Sequence, residues 1–319
     1  MGLERQDIRE YPGGSLAANV VGATGWDGHG LLGLEASLDS TLAGKDGSET
    51  HDRGSDGAVI PGSRRDLREA VDGSTVELTL DSDLQYYVQQ QTQQAKDLSG
   101  AKNASVVVLD TKTAEVLAMA NDGTFNPAIG VGNNPRTAQM GNLPVSSPFE
   151  PGSVNKIVTA AAAIEYGLTT PDEVLQVPGT IQMAGVSVKD AWAHGVVPFT
   201  STGVFGKSSN VGTLMLAERV GEERFADMLH RFGLGRSPMS GCPARVPAVS
   251  RPWRTGPGEL REPAHRAGSF DDLLQMTGMY QAIANDGERI SPRIVKAVVD
   301  EDGTVRDRDR TSRARTRDQ

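Results

Sequence analysis

A serine and a lysine one helical turn apart are the residues in this sequence best suited to catalysis. Ser153 and Lys156 follow Pro151, a residue typical of a helix entry. On a helix this spacing puts both side chains on one face, about 5–6 Å apart at Cβ. A serine hydroxyl needs an adjacent base, and a lysine whose pKa is lowered by burial can be that base. The helix N-terminus would stabilise a developing oxyanion.

A second short motif supports this prediction, because an S-x-x-K spacing alone often arises by chance. Ser208, Ser209 and Asn210 form an S-x-N sequence further along the chain. The two motifs occur together in penicillin-recognising serine enzymes. Ser208 could relay a proton to a leaving amine, and Asn210 could hold both a substrate amide and Lys156. The alternative is that Ser208 is simply the N-cap of a helix.

Longer stretches around these motifs resemble a known family. Two of these stretches contain the motifs: SSPFEPGSVNKIVTAAAAIE and GKSSNVGT. Three others lie elsewhere in the chain: ATGWDGHGLLGLE, VVLDTKTAEVLAMAN and LLQMTGMYQAIANDG. Together they resemble class B penicillin-binding proteins, and within that family the cell-division D,D-transpeptidases of actinobacteria such as mycobacteria. The likeness spans most of residues 10–235 and again 272–299.

The resemblance implies a fold and a reaction. The fold would be α/β (α+β) and serine β-lactamase-like, an antiparallel sheet flanked by helices with the serine helix beneath it. Ser153 would attack the penultimate D-Ala of a peptidoglycan stem peptide, and a neighbouring strand's amine would resolve the acyl-enzyme in septal crosslinking. β-Lactams would acylate the same serine. The catalytic set would be Ser153, Lys156, Ser208 and Asn210, with no cofactor and no metal.

The same resemblance implies a domain organisation and a location. Residues 1–74 would be the end of an N-terminal support domain, and residues 75–319 the transpeptidase domain. The intact relative is anchored in the plasma membrane, works on its extracytoplasmic face and has division-complex membrane proteins as partners. We expect the anchor to lie outside this sequence.

The third motif of the family, Lys-Thr/Ser-Gly, has no counterpart here, so we expect a chain truncated before it. Arg254-Thr255-Gly256 is a poor substitute, because it lies in a Pro- and Gly-rich run and precedes the segment Leu273–Gly287 instead of following it. In the family this motif gives one of two oxyanion N–H groups. Losing one such donor typically costs about 10²–10³ in rate. We therefore expect poor catalysis, and an unpaired apolar strand edge nearby.

The interval from Arg236 to Ser269 departs from the family differently. Shifted reading frames of its coding sequence can spell strings that the family has at these places, so we expect residues 236–269 to be translated out of frame. Cys242, Trp253 and His265 would then carry no selected function. The interval has no apolar period and is rich in proline: Pro238, Pro243, Pro247, Pro252, Pro257 and Pro263.

Bulk properties exclude several classes of function. With 32 Lys and Arg against 41 Asp and Glu, the net charge is −9, which argues against a nucleic-acid partner. The lone cysteine, Cys242, rules out an intrachain disulfide. His29, His51 and His230 are scattered, so a metal site is not expected. We expect His194 to be a loop histidine that only forms hydrogen bonds.

Periodicity predicts the elements that position the motifs. Thr75–Leu80 should be a strand, and Asp81 or Ser82 should cap a helix that runs to about Leu98 with a solvated, Gln-rich face. Around the second motif, Ser208 to Arg219 should be helical. The remaining predictions are hairpins at 104–120 and 175–188, and helices at 153–166, 223–232 and 273–284.

Two other functions stay open at this point. A serine β-lactamase-like hydrolase shares the S-x-x-K motif, although the long N-terminal region argues against it. A catalytically defective fragment without turnover is the second, and the missing third motif is its support. Penicillin turnover distinguishes the hydrolase, and active-site labelling distinguishes the fragment.

Overall fold

The structure, a computed structural model, describes residues 9–133, 140–183, 185–234 and 272–306. Across these residues, no helix is long and apolar enough to cross a bilayer. The helices are α1 (Ala18–Val21), α2 (Gly33–Ser37), α3 (Asp39–Leu42), α4 (Ser82–Ser99), α5 (Leu143–Ser146), α6 (Lys156–Glu165), α7 (Ser201–Gly206), α8 (Asn210–Val220), α9 (Glu222–Arg231) and α10 (Leu273–Ala284).

The strands are short and pair antiparallel. They are β1 (Ala23–Thr24), β2 (Gly30–Leu32), β3 (Ser48–Thr50), β4 (Arg65–Arg68), β5 (Thr75–Leu78), β6 (Ser105–Leu109), β7 (Val116–Asn121), β8 (Val174–Val177), β9 (Thr180–Met183), β10 (Val186–Lys189), β11 (Val197–Thr200), β12 (Val295–Val299) and β13 (Val305–Arg306).

The described residues fall into two compact units. The first contains residues 9–133, 140–146 and 290–306, and the second contains 147–183, 185–234 and 272–289. Residues 9–74 share the first unit with β5, β6 and β7, and the domain boundary at residue 74 stays a prediction. The predicted out-of-frame interval, with Cys242, Trp253, His265 and Arg254-Thr255-Gly256, lies outside the described residues.

The first unit is built on a three-stranded sheet and a hairpin. The sheet has the order β13-β12-β5, with Val298 opposite Val76. The predicted hairpin is confirmed as β6 and β7, with Val107 opposite Met119. In the part of the chain that the structure describes, β7 is the only strand paired with β6. The apolar residues of β6 are half-buried.

Helix α4 covers the hairpin, and its glutamines are exposed as predicted at Gln90, Gln91 and Gln94, with one clear exception. The helix begins as expected, with the Asp81 carboxylate accepting from the Leu84 N–H. Its Gln-rich face, however, is not fully solvated. Gln85 is 1% exposed and exchanges two hydrogen bonds with the backbone of Met119 at 2.8 and 2.9 Å. A buried glutamine is stable there because its amide has the geometry of a backbone peptide and pairs with the edge of β7.

The second unit is organised around α6, which begins at Lys156. Alanines along α6 let neighbouring helices approach closely, and Val158 packs with Phe225 of α9 and Met279 of α10 in one core cluster. Helix α10 begins with a capping box between Asp272 and Gln275. These contacts make α6 the buried centre of the unit and fix the position of its first residue.

The strands of the second unit differ from the prediction of a single hairpin at 175–188. The hairpin consists of β9 and β10, with Gln182 opposite Ser187. Strand β8 pairs with β11 instead, with Leu175 opposite Phe199. The turn between β8 and β9 falls at Pro178 and Gly179, a turn signal that the prediction of one hairpin did not use.

Candidate active site

Ser153 lies in a 3₁₀ turn at the entry to α6. The turn spans Gly152–Asn155, and the backbone N–H of Lys156 donates to the carbonyl of Ser153. Gly152 has φ 59°, a left-handed conformation that favours glycine. The Ser153 side chain is exposed, and its hydroxyl makes no hydrogen bond to a described residue. The predicted nucleophile is therefore accessible at the start of a helix.

The turn is tied down through its backbone. The phenol of Tyr280, on α10, donates to the carbonyl of Val154 at 3.0 Å. Asn155, the last residue of the turn, is buried. This hydrogen bond does not involve the Ser153 hydroxyl, so the backbone of the turn is held while the hydroxyl stays exposed.

Lys156 is the point where the predicted residues meet. Its side chain is buried, and Nζ donates to the Ser208 carbonyl at 2.6 Å, to the Asn210 Oδ1 at 2.7 Å and to the Ser208 Oγ at 3.1 Å. Three acceptors match the three donors of an ammonium group. Loss of one proton would leave a lone pair in the same cluster. The structure thus joins Lys156, Ser208 and Asn210 by hydrogen bonds, and Ser153 precedes Lys156 by one turn.

Burial makes that proton easier to lose. Desolvation lowers the pKa of the Lys156 amine from its usual 10.5, and the negative charge of Asp190 partly opposes this effect by raising it. A lysine with a lowered pKa is a better base near neutral pH than a solvated one.

The Ser208–Asn210 turn has a conformation that the sequence did not reveal. Ser208 has φ 53°, which is unusual for a residue other than glycine, asparagine or aspartate. Both its carbonyl and its hydroxyl accept from Lys156. The alternative that Ser208 caps α8 is wrong. Ser209 is the N-cap, and its Oγ accepts from the Gly212 N–H at 2.9 Å.

A buried carboxylate that we did not predict lies behind this turn. Asp190 follows β10, is 4% exposed and accepts from the Ser209 hydroxyl at 2.7 Å. The segment KDAWAHG gives little indication of this role, since most partners of Asp190 lie about twenty residues further along the chain. One local signal was available: Asp190 and His194 have the i,i+4 spacing of an ion pair.

His194 forms hydrogen bonds, as predicted, and one of them is to Asp190. Its Nε2 lies 3.0 Å from the Asp190 Oδ2, and its Nδ1 lies 2.7 Å from the Gly195 carbonyl. A neutral ring can donate to one of these oxygens and an imidazolium to both. The ring stacks on Trp192 with a centroid separation of 5.3 Å and lies edge-on to Phe199. Trp192, 36% exposed, forms the outer side of this aromatic cluster.

Comparison with known proteins places the chain in a family. Residues 104–318 match the transpeptidase family described as the penicillin binding protein transpeptidase domain. The chain is 64% identical over 313 residues to the penicillin-binding protein PbpB of Mycolicibacterium smegmatis, covering 97% of this chain and 48% of that protein. It is 34% identical over 237 residues to the peptidoglycan D,D-transpeptidase FtsI of Escherichia coli, covering 74% and 39%.

A solved structure of a penicillin-binding protein also matches this chain. Penicillin-binding protein 3 of Mycobacterium tuberculosis, in complex with ampicillin, matches with a TM-score of 0.86 and 59% identity, over 96% of this chain and 64% of that one. The same protein has also been solved with aztreonam. The predicted fold is thereby confirmed. The chain spans about half the length of the curated relatives it matches.

Proposed function

The chain belongs to the penicillin-binding protein transpeptidase family, and from that premise we propose that it carries the acyl-transfer site of a peptidoglycan D,D-transpeptidase. The nucleophile is Ser153, and the acyl donor is a stem peptide that ends in D-Ala-D-Ala. The acceptor is an amine of a neighbouring stem peptide, so the product is a crosslink in the septal cell wall. The names of the similar proteins, which include peptidoglycan D,D-transpeptidase, support this substrate class.

One observation carries the proposal: the buried Lys156 amine contacts Ser208 and Asn210 of the second motif. Lys156 itself follows the exposed Ser153 by one turn. A lysine without a catalytic role would be expected to reach solvent or a carboxylate, because burying an unpaired charge is costly. Here it donates to neutral oxygens, and its pKa is lowered by desolvation. That arrangement suits a group that must exchange protons.

The acylation step follows from these contacts. The Ser153 Oγ attacks the carbonyl carbon of the penultimate D-Ala, and the proton of its hydroxyl passes to the neutral Lys156 amine. The C–N bond to the terminal D-Ala then breaks, and the leaving nitrogen receives a proton from Lys156 through the Ser208 hydroxyl, 3.1 Å away. The products are free D-Ala and an ester on Ser153.

Deacylation runs these transfers in reverse with a different nucleophile. The acceptor amine attacks the ester carbonyl and loses a proton to the Ser208–Lys156 pair, and the Ser153 Oγ leaves and regains its proton. A new amide bond forms and the serine hydroxyl is restored, so atoms balance over the cycle. Asn210 holds Lys156 through its Oδ1, and we assign it the additional role of contacting the substrate amide.

The remaining parts of the proposal concern partners and location. β-Lactams acylate Ser153 as mimics of the stem peptide, consistent with the ampicillin and aztreonam complexes of the mycobacterial relative. The intact protein works at the extracytoplasmic face of the plasma membrane with division-complex membrane proteins. Within it, residues 1–74 end a support domain and residues 75–319 form the transpeptidase domain.

The test uses a thioester acyl donor that ends in D-alanine, with an added D-amino acid as the acceptor amine. We expect slow thiol release with transfer of the acyl group to the acceptor, and loss of both in Ser153→Ala; release is slow because the Lys-Thr/Ser-Gly motif has no counterpart in this sequence. The matched control is Ser147→Ala, since Ser147 is also exposed and precedes the same turn. Thiol release that persists in Ser153→Ala would contradict the assignment. Steady conversion of a penicillin to penicilloate would instead favour the β-lactamase-like hydrolase.

A further inference from the structure

We propose that Asp190 is a positioning residue for this reaction: its buried carboxylate holds the Ser208–Asn210 turn against Lys156. The inference rests on the proposed function of that site. Asp190 lies in neither of the two sequence motifs and does not contact Lys156 by a hydrogen bond. It acts on the lysine through the turn that supplies all of the lysine's acceptors.

Both oxygens of Asp190 are used to hold the turn. Oδ1 accepts from the backbone N–H groups of Asn210 at 2.6 Å and Val211 at 3.0 Å. Oδ2 accepts from the Ser209 hydroxyl at 2.7 Å and lies 3.0 Å from the His194 Nε2. The first turn of a helix leaves its backbone N–H groups unpaired, and a carboxylate is well suited to bind them. Three consecutive residues are therefore held by one side chain.

These bonds fix the group that holds the lysine. The Asn210 side chain accepts from Lys156 through Oδ1 and donates through Nδ2 to the Lys189 carbonyl at 3.0 Å. Residues 189 and 190 thus hold the side chain and the backbone of Asn210 together. If the turn moved away from Asp190, the Asn210 and Ser208 oxygens would move away from the amine.

The segment that carries Asp190 is itself held closely. The Asp190 N–H donates to the Gly179 carbonyl at 3.3 Å. A Cβ on Gly179 would lie 2.0 Å from the His194 carbonyl oxygen, so only glycine permits this close approach. The His194 side chain, 8% exposed, covers the carboxylate from the other side. Asp190 is consequently a fixed support and not a mobile surface acid.

Asp190 also contributes charge. Among the charged groups of the described residues, Asp190 is the one whose charge acts on Lys156. It raises the pKa of the amine, whereas desolvation lowers it. His194 is the titratable group in contact with Asp190. An isosteric Asp190→Asn change keeps the oxygen that accepts from Asn210 and Val211 but removes the negative charge.

The first experiment measures the titration of Lys156 by NMR in the full chain labelled with ¹³C-lysine, with its signal assigned from Lys156→Arg. We expect the titration to move to lower pH in Asp190→Asn and to stay in place in Asp172→Asn, which changes an exposed aspartate of the same unit. Acylation of Asp190→Asn by ampicillin should fall roughly 10- to 100-fold, the loss expected when a hydrogen bond to a charged group is weakened. An unchanged titration would overturn the proposal.

A second measurement needs no substitution and so does not depend on the folding of a variant. Asp190 should protect the Asn210 and Val211 amides from hydrogen exchange. The reference is the set of first-turn amides of α9, because its N-cap, Gly221, gives them no side-chain hydrogen bond. Equal exchange at the two helix starts would overturn the role of Asp190. Failure of ampicillin to label Ser153 in the unsubstituted chain would count against the proposed function, while exchange and titration still decide on Asp190.

Discussion

Two serine-bearing turns lie on either side of Lys156, and they are held in opposite ways. The Gly152–Asn155 turn is fixed through its backbone, has no side-chain cap and leaves the Ser153 hydroxyl exposed. The Ser208–Asn210 turn is fixed through side chains, with Ser209 fully buried and bonded to Asp190. The difference separates two tasks. Under the proposed function, one turn presents the hydroxyl that reacts, and the other holds the amine that activates it.

The largest effect should come from removing the amine that the two turns share. Lys156→Met keeps the length of the side chain but removes the base, and general-base catalysis contributes about 10²–10⁴-fold. We expect acylation by ampicillin, followed by intact mass, to slow by at least 10²-fold on that scale. Lys207→Met is the control, because Lys207 is exposed and adjacent to the same turn. If the acylation rate of Lys156→Met were within a few-fold of the rate of the unsubstituted chain, Lys156 would not be the base.

Adjacent serines of the second turn should separate catalysis from stability. Ser208→Ala removes the hydroxyl that contacts Lys156, so acylation should slow by about 10²-fold. The free energy of unfolding should change by less than about 0.5 kcal/mol, because the side chain is exposed.

Ser209→Ala should show the reverse pattern. It removes the N-cap of α8 and one donor to Asp190, and such a cap is worth about 1–2 kcal/mol. Thermal and denaturant unfolding would measure both changes. Equal loss of stability in the two variants would mean that Ser208 is also structural.

The smallest effect is a shift on the pH axis. Acylation needs the neutral amine, so its rate should rise with pH as Lys156 loses its proton. Since desolvation lowers the pKa of Lys156 from 10.5, the midpoint of that rise should lie below pH 10.5. The rate of adduct formation, measured by stopped incubation across pH, checks this sign. A midpoint at or above the ordinary value for lysine would show that burial does not tune the base.

The candidate residues of this site were easier to predict from the sequence than the contacts that support them. Ser153, Lys156, Ser208 and Asn210 could be proposed because short motifs carry catalytic residues at fixed spacing. The helix at 82–99 and the hairpin of β6 and β7 also followed from periodicity and capping. These features depend on neighbours in sequence, which a single chain reveals.

What the sequence did not reveal depends on contacts between distant segments. The burial of Gln85 requires the edge of β7, and the left-handed Ser208 requires the lysine from α6. Asp190, which follows β10, is bonded to residues about twenty positions away at the start of α8. Polar side chains look solvated in a sequence, and only the fold shows which of them have buried partners.

The residue to which a penicillin attaches is the most direct test of Ser153 as the nucleophile. The chain would be incubated with ampicillin to saturation, digested and mapped by peptide mass, together with Ser153→Ala and Ser147→Ala. We predict one adduct per chain on the peptide that contains Ser153, present in Ser147→Ala and absent in Ser153→Ala. An adduct on any other residue, or one that survives in Ser153→Ala, would contradict the claim that Ser153 is the nucleophile beside Lys156.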